Sequence, residues 1–79
     1  MYYVYVLKSE RNRKLYKGFT SDLRRRLREH NSLSSKFTSH NGPWKLIYYQ
    51  AFENETAARR EEKFLKTGKG RERLKYLLE

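Results

Sequence analysis

The run Tyr2-Tyr3-Val4-Tyr5-Val6-Leu7 constrains this 79-residue chain more than any other segment. Each of its residues is aromatic, β-branched or leucine, so it favours extended backbone and carries apolar side chains on both faces. Such a strand must be covered twice, which places it inside a sheet between two layers. Side chains alternate along a strand, so Tyr3, Tyr5 and Leu7 share one face. Ser9 to Arg13 is polar and reads as a loop. Leu15-Tyr16-Lys17-Gly18-Phe19 then reads as a second strand, ending about Gly18, and the short connection favours an antiparallel hairpin.

Downstream, a helix is predicted from Asp22 to His30, capped by Thr20 or Ser21 and helped by Asp22 in its first turn. Leu23 and Leu27, one turn apart, mark its buried stripe. Arg26 and His30 border that stripe, and Arg24, Arg25 and Arg28 spread around the rest. Asn31 to Gly42 is rich in Ser and Asn and reads as an exposed loop ahead of Pro43. Trp44 to Phe52 reads as a third strand, and Asn54 caps a helix over Glu55–Thr67. Gly68-Lys69-Gly70 reads as a break before a short helix, Arg71–Leu78, with Leu74, Leu77 and Leu78 as its apolar side. The expected fold is α+β: one domain over residues 1–79, a small, mainly antiparallel three-stranded sheet flanked by helices in the order ββαβαα. Strand tyrosines are usually packed, so Tyr2, Tyr3, Tyr48 and Tyr49 are expected in the core.

A chain of this length buries only about 60% of its extended surface. It has no cysteine, which excludes a disulfide framework, Cys-ligated zinc and a thiol nucleophile. Seven Tyr, four Phe and one Trp are the expected means of packing. No uncharged run approaches the ~20 residues of a membrane span, and no signal-peptide pattern opens the chain. A cytoplasmic protein is expected, with no membrane association and no mark of an obligate protein partner.

The formal net charge is +10. Residues 1–40 hold ten Lys/Arg against three Asp/Glu, and residues 41–79 hold nine against six. That excess predicts a polyanionic partner, most often nucleic acid. The plainer reading of the charge is a solvated surface, and a ribosome-associated or RNA-binding structural protein is a further reading that rests on charge alone.

Two tyrosine-bearing strands followed by an Arg/His helix resemble the GIY-YIG nuclease family, in particular its small stand-alone, UPF0213-like members. Tyr3-Val4-Tyr5 corresponds to the first motif and Tyr16-Lys17-Gly18 to the second. The match continues through Gly18-Phe19-Thr20, Asp22-Leu23 and Arg26-Leu27-Arg28-Glu29-His30-Asn31. It resumes at Trp44-Lys45-Leu46-Ile47-Tyr48-Tyr49 and from Ala58 to Lys66. Tyr3 stands where the family name has Gly. Lys17 replaces the usual Ile or Val, and its side chain is expected on the face opposite Tyr16.

The resemblance implies a metal-dependent endonuclease acting on DNA rather than RNA. Glu62 would be the sole protein carboxylate on one divalent ion, Mg²⁺ or Mn²⁺, with water completing the shell. Arg26 would grip the scissile phosphate. Tyr5 or Tyr16 would position the attacking water or take its proton, and His30 would assist by hydrogen bonding or proton transfer. Arg24, Arg25, Arg28, Lys36 and Lys66 would contact the nucleic acid. Taken singly, these residues have plainer readings: Tyr5 and Tyr16 as core, Arg26 as a partner of Asp22, His30 as a helix-end residue and His40 as ordinary surface. The apolar pattern of the Glu55–Thr67 helix points Glu61 inward, whereas the resemblance favours Glu62. A non-catalytic, basic nucleic-acid-binding module is the competing function.

Overall fold

The computed structural model describes residues 1–32 and 41–78. Lys36, His40 and most of the expected Asn31–Gly42 loop lie outside the described residues. Three strands, β1 (Tyr2–Ser9), β2 (Leu15–Thr20) and β3 (Trp44–Phe52), form one antiparallel sheet in the order β2-β1-β3. Helices α1 (Leu23–Asn31), α2 (Glu55–Leu65) and α3 (Gly68–Leu78) complete the expected ββαβαα order.

The central position of β1 follows from its composition. Val4 and Val6 pack on one face against Ala58 and Leu65 of α2 and Leu74 of α3. Tyr5 and Leu7 pack on the other with Trp44, Tyr16, Leu46 and the Leu23–Leu27 stripe of α1. The register breaks between Val6 and Leu7: Val6 faces Tyr48, but Leu7 faces Leu46. Ile47 is therefore an extra residue on β3, a bulge that sends Leu46 toward α1 while Ile47 and Tyr48 pack on the α2/α3 side. Without it, one of these side chains would face the wrong layer.

Several expected boundaries move. β2 continues past Gly18 to Thr20, because Phe19 and Thr20 still pair with Val4 and Tyr3. Ser9 belongs to β1 and is buried; its hydroxyl accepts from the Arg11 and Asn12 amides and donates to the Asn41 carbonyl. Asp22 is the N-cap of α1 rather than part of its first turn, and its carboxylate accepts from the Arg25 amide. Tyr49 is 54% exposed instead of core, bordering an open cavity with Leu23, Leu27 and Leu46; Tyr3 meets its ring edge-on. Leu77 and Leu78 are also exposed, leaving Leu74 as the residue of α3 that enters the core.

Gly68-Lys69-Gly70 forms the first turn of α3 instead of a break. Thr67 makes this possible: its hydroxyl donates to the Phe64 carbonyl and accepts from the Gly70 amide, joining the end of α2 to the start of α3. A side chain at Gly70 would run into the Phe64 carbonyl oxygen and the Leu65 backbone, whereas Gly68 has open space around it. Gly70→Ala is expected to destabilise the domain by about 3 kcal/mol, since neither obstacle is a flexible side chain. Gly68→Ala should instead stabilise it by about 0.4–1 kcal/mol by restricting the unfolded chain. Urea denaturation of the two variants measures both signs.

Candidate active site

Tyr5 is the hub of the side chains that the sequence singles out. It lies in the middle of β1, is 2% exposed, and points toward α1. Its neighbour across the ladder is Gly18, and its ring fills the space a Cβ there would occupy, with Cε1 at 2.9 Å from that position. The glycine of the second motif thus has a steric reason: it lets the Tyr5 ring cross β2. Tyr16 of β2 pairs with Leu7 of β1 and is half-buried, its ring tilted against Tyr5 with centroids 6.3 Å apart.

From α1, His30 and Arg26 meet the Tyr5 hydroxyl. His30 Nε2 lies 2.8 Å from it, and Arg26 Nε donates to the same oxygen at 3.4 Å. Arginine carries only donors, so the hydroxyl oxygen accepts from it. With the ring proton of His30 on Nδ1, the hydroxyl proton goes to Nε2. The His30 ring also stands edge-on to Tyr16 at 4.7 Å between centroids. His30 is buried, at 1% exposure, although it sits in the last turn of α1. Arg26 pairs not with Asp22, whose carboxylate is occupied as a cap, but with Glu29 at 3.1 Å.

A residue that sequence reading left without a role fixes this geometry. The Asn31 side-chain amide donates to the Trp44 carbonyl at 3.1 Å and accepts from the Trp44 amide at 2.7 Å. This two-way clamp fastens the last turn of α1, where His30 sits, to the start of β3. Asparagine at that position, with Trp thirteen residues on, is the signal that could have pointed to it.

Electrostatics follow from burial. Desolvation pushes the Tyr5 hydroxyl up to about 12; the hydrogen bond from Arg26 opposes this, while Tyr16 and the charge of Glu62 add to it. His30 is held below its usual value, first by burial and then by the charge of Arg26. The bond to Tyr5 raises the Arg26 guanidinium further, so it stays charged. At neutral pH the group is a neutral phenol, a neutral imidazole and a fixed cation.

Glu62 comes from α2 and is felt electrostatically at Tyr5. Its carboxylate pairs with Lys66, one turn on, at 3.2 Å. Glu61 turns instead toward α3, where its Oε2 is buried 2.7 Å from Arg73 Nη1, outside hydrogen-bonding geometry. No three His, Cys, Asp or Glu side chains gather as a metal cage among the described residues. A lone, partly exposed carboxylate fits a hard cation that keeps most of its water, the habit of Mg²⁺. Arg24, Arg25 and Arg28 are exposed on α1, and Lys66 is exposed at the C-cap of α2. Three cavities, of about 600, 450 and 260 Å³, are lined by residues other than Tyr5, Tyr16, Arg26, His30 and Glu62.

A family model described as the GIY-YIG catalytic domain matches residues 1–75. The chain belongs to the GIY-YIG family, whose domain has a nuclease-type fold. A UPF0213 protein of Clostridium perfringens is 40% identical over 67 residues, covering 84% of this chain and 71% of that one. A UPF0213 protein of Streptococcus pyogenes serotype M5 is 38% identical over 77 residues, covering 95% and 83%. The solution NMR structure of a UPF0213 protein from Bacillus halodurans matches with a TM-score of 0.59 at 33% identity, covering 98% of this chain and 85% of that one. Among the described residues, no helix is long and apolar enough to cross a membrane.

The buried imidazole makes stability depend on pH in one direction. Its pKa is lower folded than unfolded, so below about 6.5 the unfolded chain binds the extra proton first. Stability is complete above that value and falls as pH drops through it. Urea midpoints at pH 8 and pH 5.5 should therefore differ in the parent, and the difference should shrink in His30→Gln.

Proposed function

We propose that this chain is a divalent-metal-dependent endonuclease that hydrolyses phosphodiester bonds in DNA. The observation that carries the reading is the Tyr5 hydroxyl held at once by His30 Nε2 and Arg26 Nε. Packing alone requires neither a neutral imidazole nor a permanent cation on one buried phenol.

Arg26 is the phosphate ligand. Its pair with Glu29 is an i,i+3 contact with both side chains about two-fifths exposed, at 40% and 41%. Such pairs are worth roughly 0.3–0.5 kcal/mol, so a phosphate can take the guanidinium from Glu29. Tyr16, half-buried where Tyr5 is enclosed, would orient the attacking water. The proton leaving that water passes to the phenol–imidazole pair: the Tyr5 oxygen takes it as the Tyr5 proton moves to His30 Nε2. Hydroxide thus reaches phosphorus while imidazolium forms. Burial disfavours that imidazolium, which makes it a ready donor in the return step. Glu62 would hold the divalent ion, which supplies Lewis acidity to the phosphate and leaving oxygens. Arg24, Arg25 and Arg28 hold the flanking backbone, as do Lys36 and Lys66.

A non-catalytic binding module is the second reading, favoured by Lys66 sitting on the Glu62 carboxylate. That i,i+4 pair is also weak, so a divalent ion can displace it.

Incubating the protein with supercoiled, linear and branched DNA in Mg²⁺ or Mn²⁺ separates the two. Cleavage is expected in the parent. It should be abolished in Glu62→Ala with DNA affinity kept or slightly raised, and lowered about 10²–10⁴-fold in Tyr5→Phe. DNA binding without cleavage under every condition supports the module instead, and activity lost in Glu61→Ala but kept in Glu62→Ala moves the ligand to Glu61. Binding itself should follow salt. Neutralising roughly five phosphates gives a log–log slope of about −4 to −5, and Arg24, Arg25 and Arg28 changed together to Gln should flatten it.

A further inference from the structure

The largest of the three cavities, about 600 Å³, lies on the α2/α3 face of the sheet, away from the Tyr5–His30 contact. Lys8 of β1, Lys17 of β2, Arg71 and Lys75 of α3, and Arg13 of the β1–β2 turn all line it. Five cations from four separate parts of the chain thus face one space. Among the described residues none of them is ion-paired with a carboxylate. Like charges are costly at close quarters. Lys17 records this: burial, then Arg71 and Lys66, hold its ammonium below its usual pKa. Arg13 adds a second cost, since it sits at φ 64°, in the left-handed region that a non-glycine residue adopts only with strain.

The floor is different in character. Leu15, Ile47, Leu74 and Leu78 line it, all aliphatic. Phosphate groups alone would leave that surface uncovered, and the volume falls within the roughly 300–1,000 Å³ of small-molecule clefts. Among the described residues no aromatic ring lines the cavity to stack successive bases, as a groove for a single strand would require. A concave site also selects a compact ligand over a duplex or a bilayer.

We propose that this cavity binds a nucleoside polyphosphate, with the clustered phosphates on the five cations and the nucleoside over the aliphatic floor. The site is separate from the one assigned to phosphodiester hydrolysis and does not rest on that reading. Phosphate oxygens supply the counter-charge that Lys17 and Arg71 lack, and charge-assisted hydrogen bonds to both.

Isothermal titration with ATP, without divalent cation, tests this on the intact protein. Binding is expected with Kd below about 1 mM, weakened about tenfold or more in the surface variant Arg71→Gln/Lys75→Gln and again in Lys17→Gln. Circular dichroism melts confirm that both variants fold. Glu62→Ala should bind ATP like the parent, so loss of cleavage and loss of nucleotide binding are distinguishable. Inorganic tripolyphosphate binding as tightly as ATP would remove the nucleoside from the assignment and overturn it. So would an oligothymidylate with a terminal phosphate outcompeting ATP, ATP binding indifferent to the variants, or no binding of ATP.

Discussion

The Tyr5 hydroxyl bridges strand and helix: His30 Nε2 is 2.8 Å away and Arg26 Nε donates to it from the same face of α1. Most of what surrounds it follows from keeping that phenol in place. Gly18 clears the path of its ring, Asn31 holds the end of α1 down on β3, and the Leu23–Leu27 stripe closes over it. A buried hydroxyl without partners is costly, so the bond is also what permits a tyrosine to occupy the centre of a sheet. The same burial keeps phenol and imidazole neutral beside a guanidinium that is always charged.

Much of this was legible from local pattern. The alternation of Tyr3, Tyr5 and Leu7 assigns one face of β1, and one helical turn between Arg26 and His30 puts both over it. The positions of β3 and of the Asn54 cap could be read from Trp44–Phe52 and the polar residues after it. What escaped pattern depends on contacts between distant segments. The bulge at Ile47 exists because Leu46 must face α1 while Ile47 and Tyr48 face the other way, which no period of two contains. Gly70 looks like a helix breaker until the closeness of Phe64 and Leu65 shows why only glycine fits. Tyr49 has strand composition, but its burial depends on how closely α1 packs beside it.

Of the residues considered for a site, Glu61 and Glu62 show best how structure divides neighbours. They are adjacent on α2, yet one is turned to Arg73 of α3 and the other to Lys66. Helical rotation of about 100° per residue is enough to separate them. Lys17 and Tyr16 are divided in the same way by the pleat of β2: the tyrosine lies beside His30, the lysine beside Arg71. An edge strand only six residues long therefore contributes to both faces of the domain.

The central place of β1 has a consequence for how the chain becomes ordered. The first strand in sequence is the middle strand in space, and it acquires its second neighbour only from residues 44–52. Its α2/α3 face stays wet until Ala58, Leu65 and Leu74 arrive. The hairpin of β1 and β2 can close early, because its pairing is local, yet it remains a two-stranded ribbon with both faces open, which water does not favour. A nascent chain stopped before Glu55 would thus present Val4 and Val6 of β1 as bare, aggregation-prone surface. Docking of α2 and α3 then converts that exposed face into an interior.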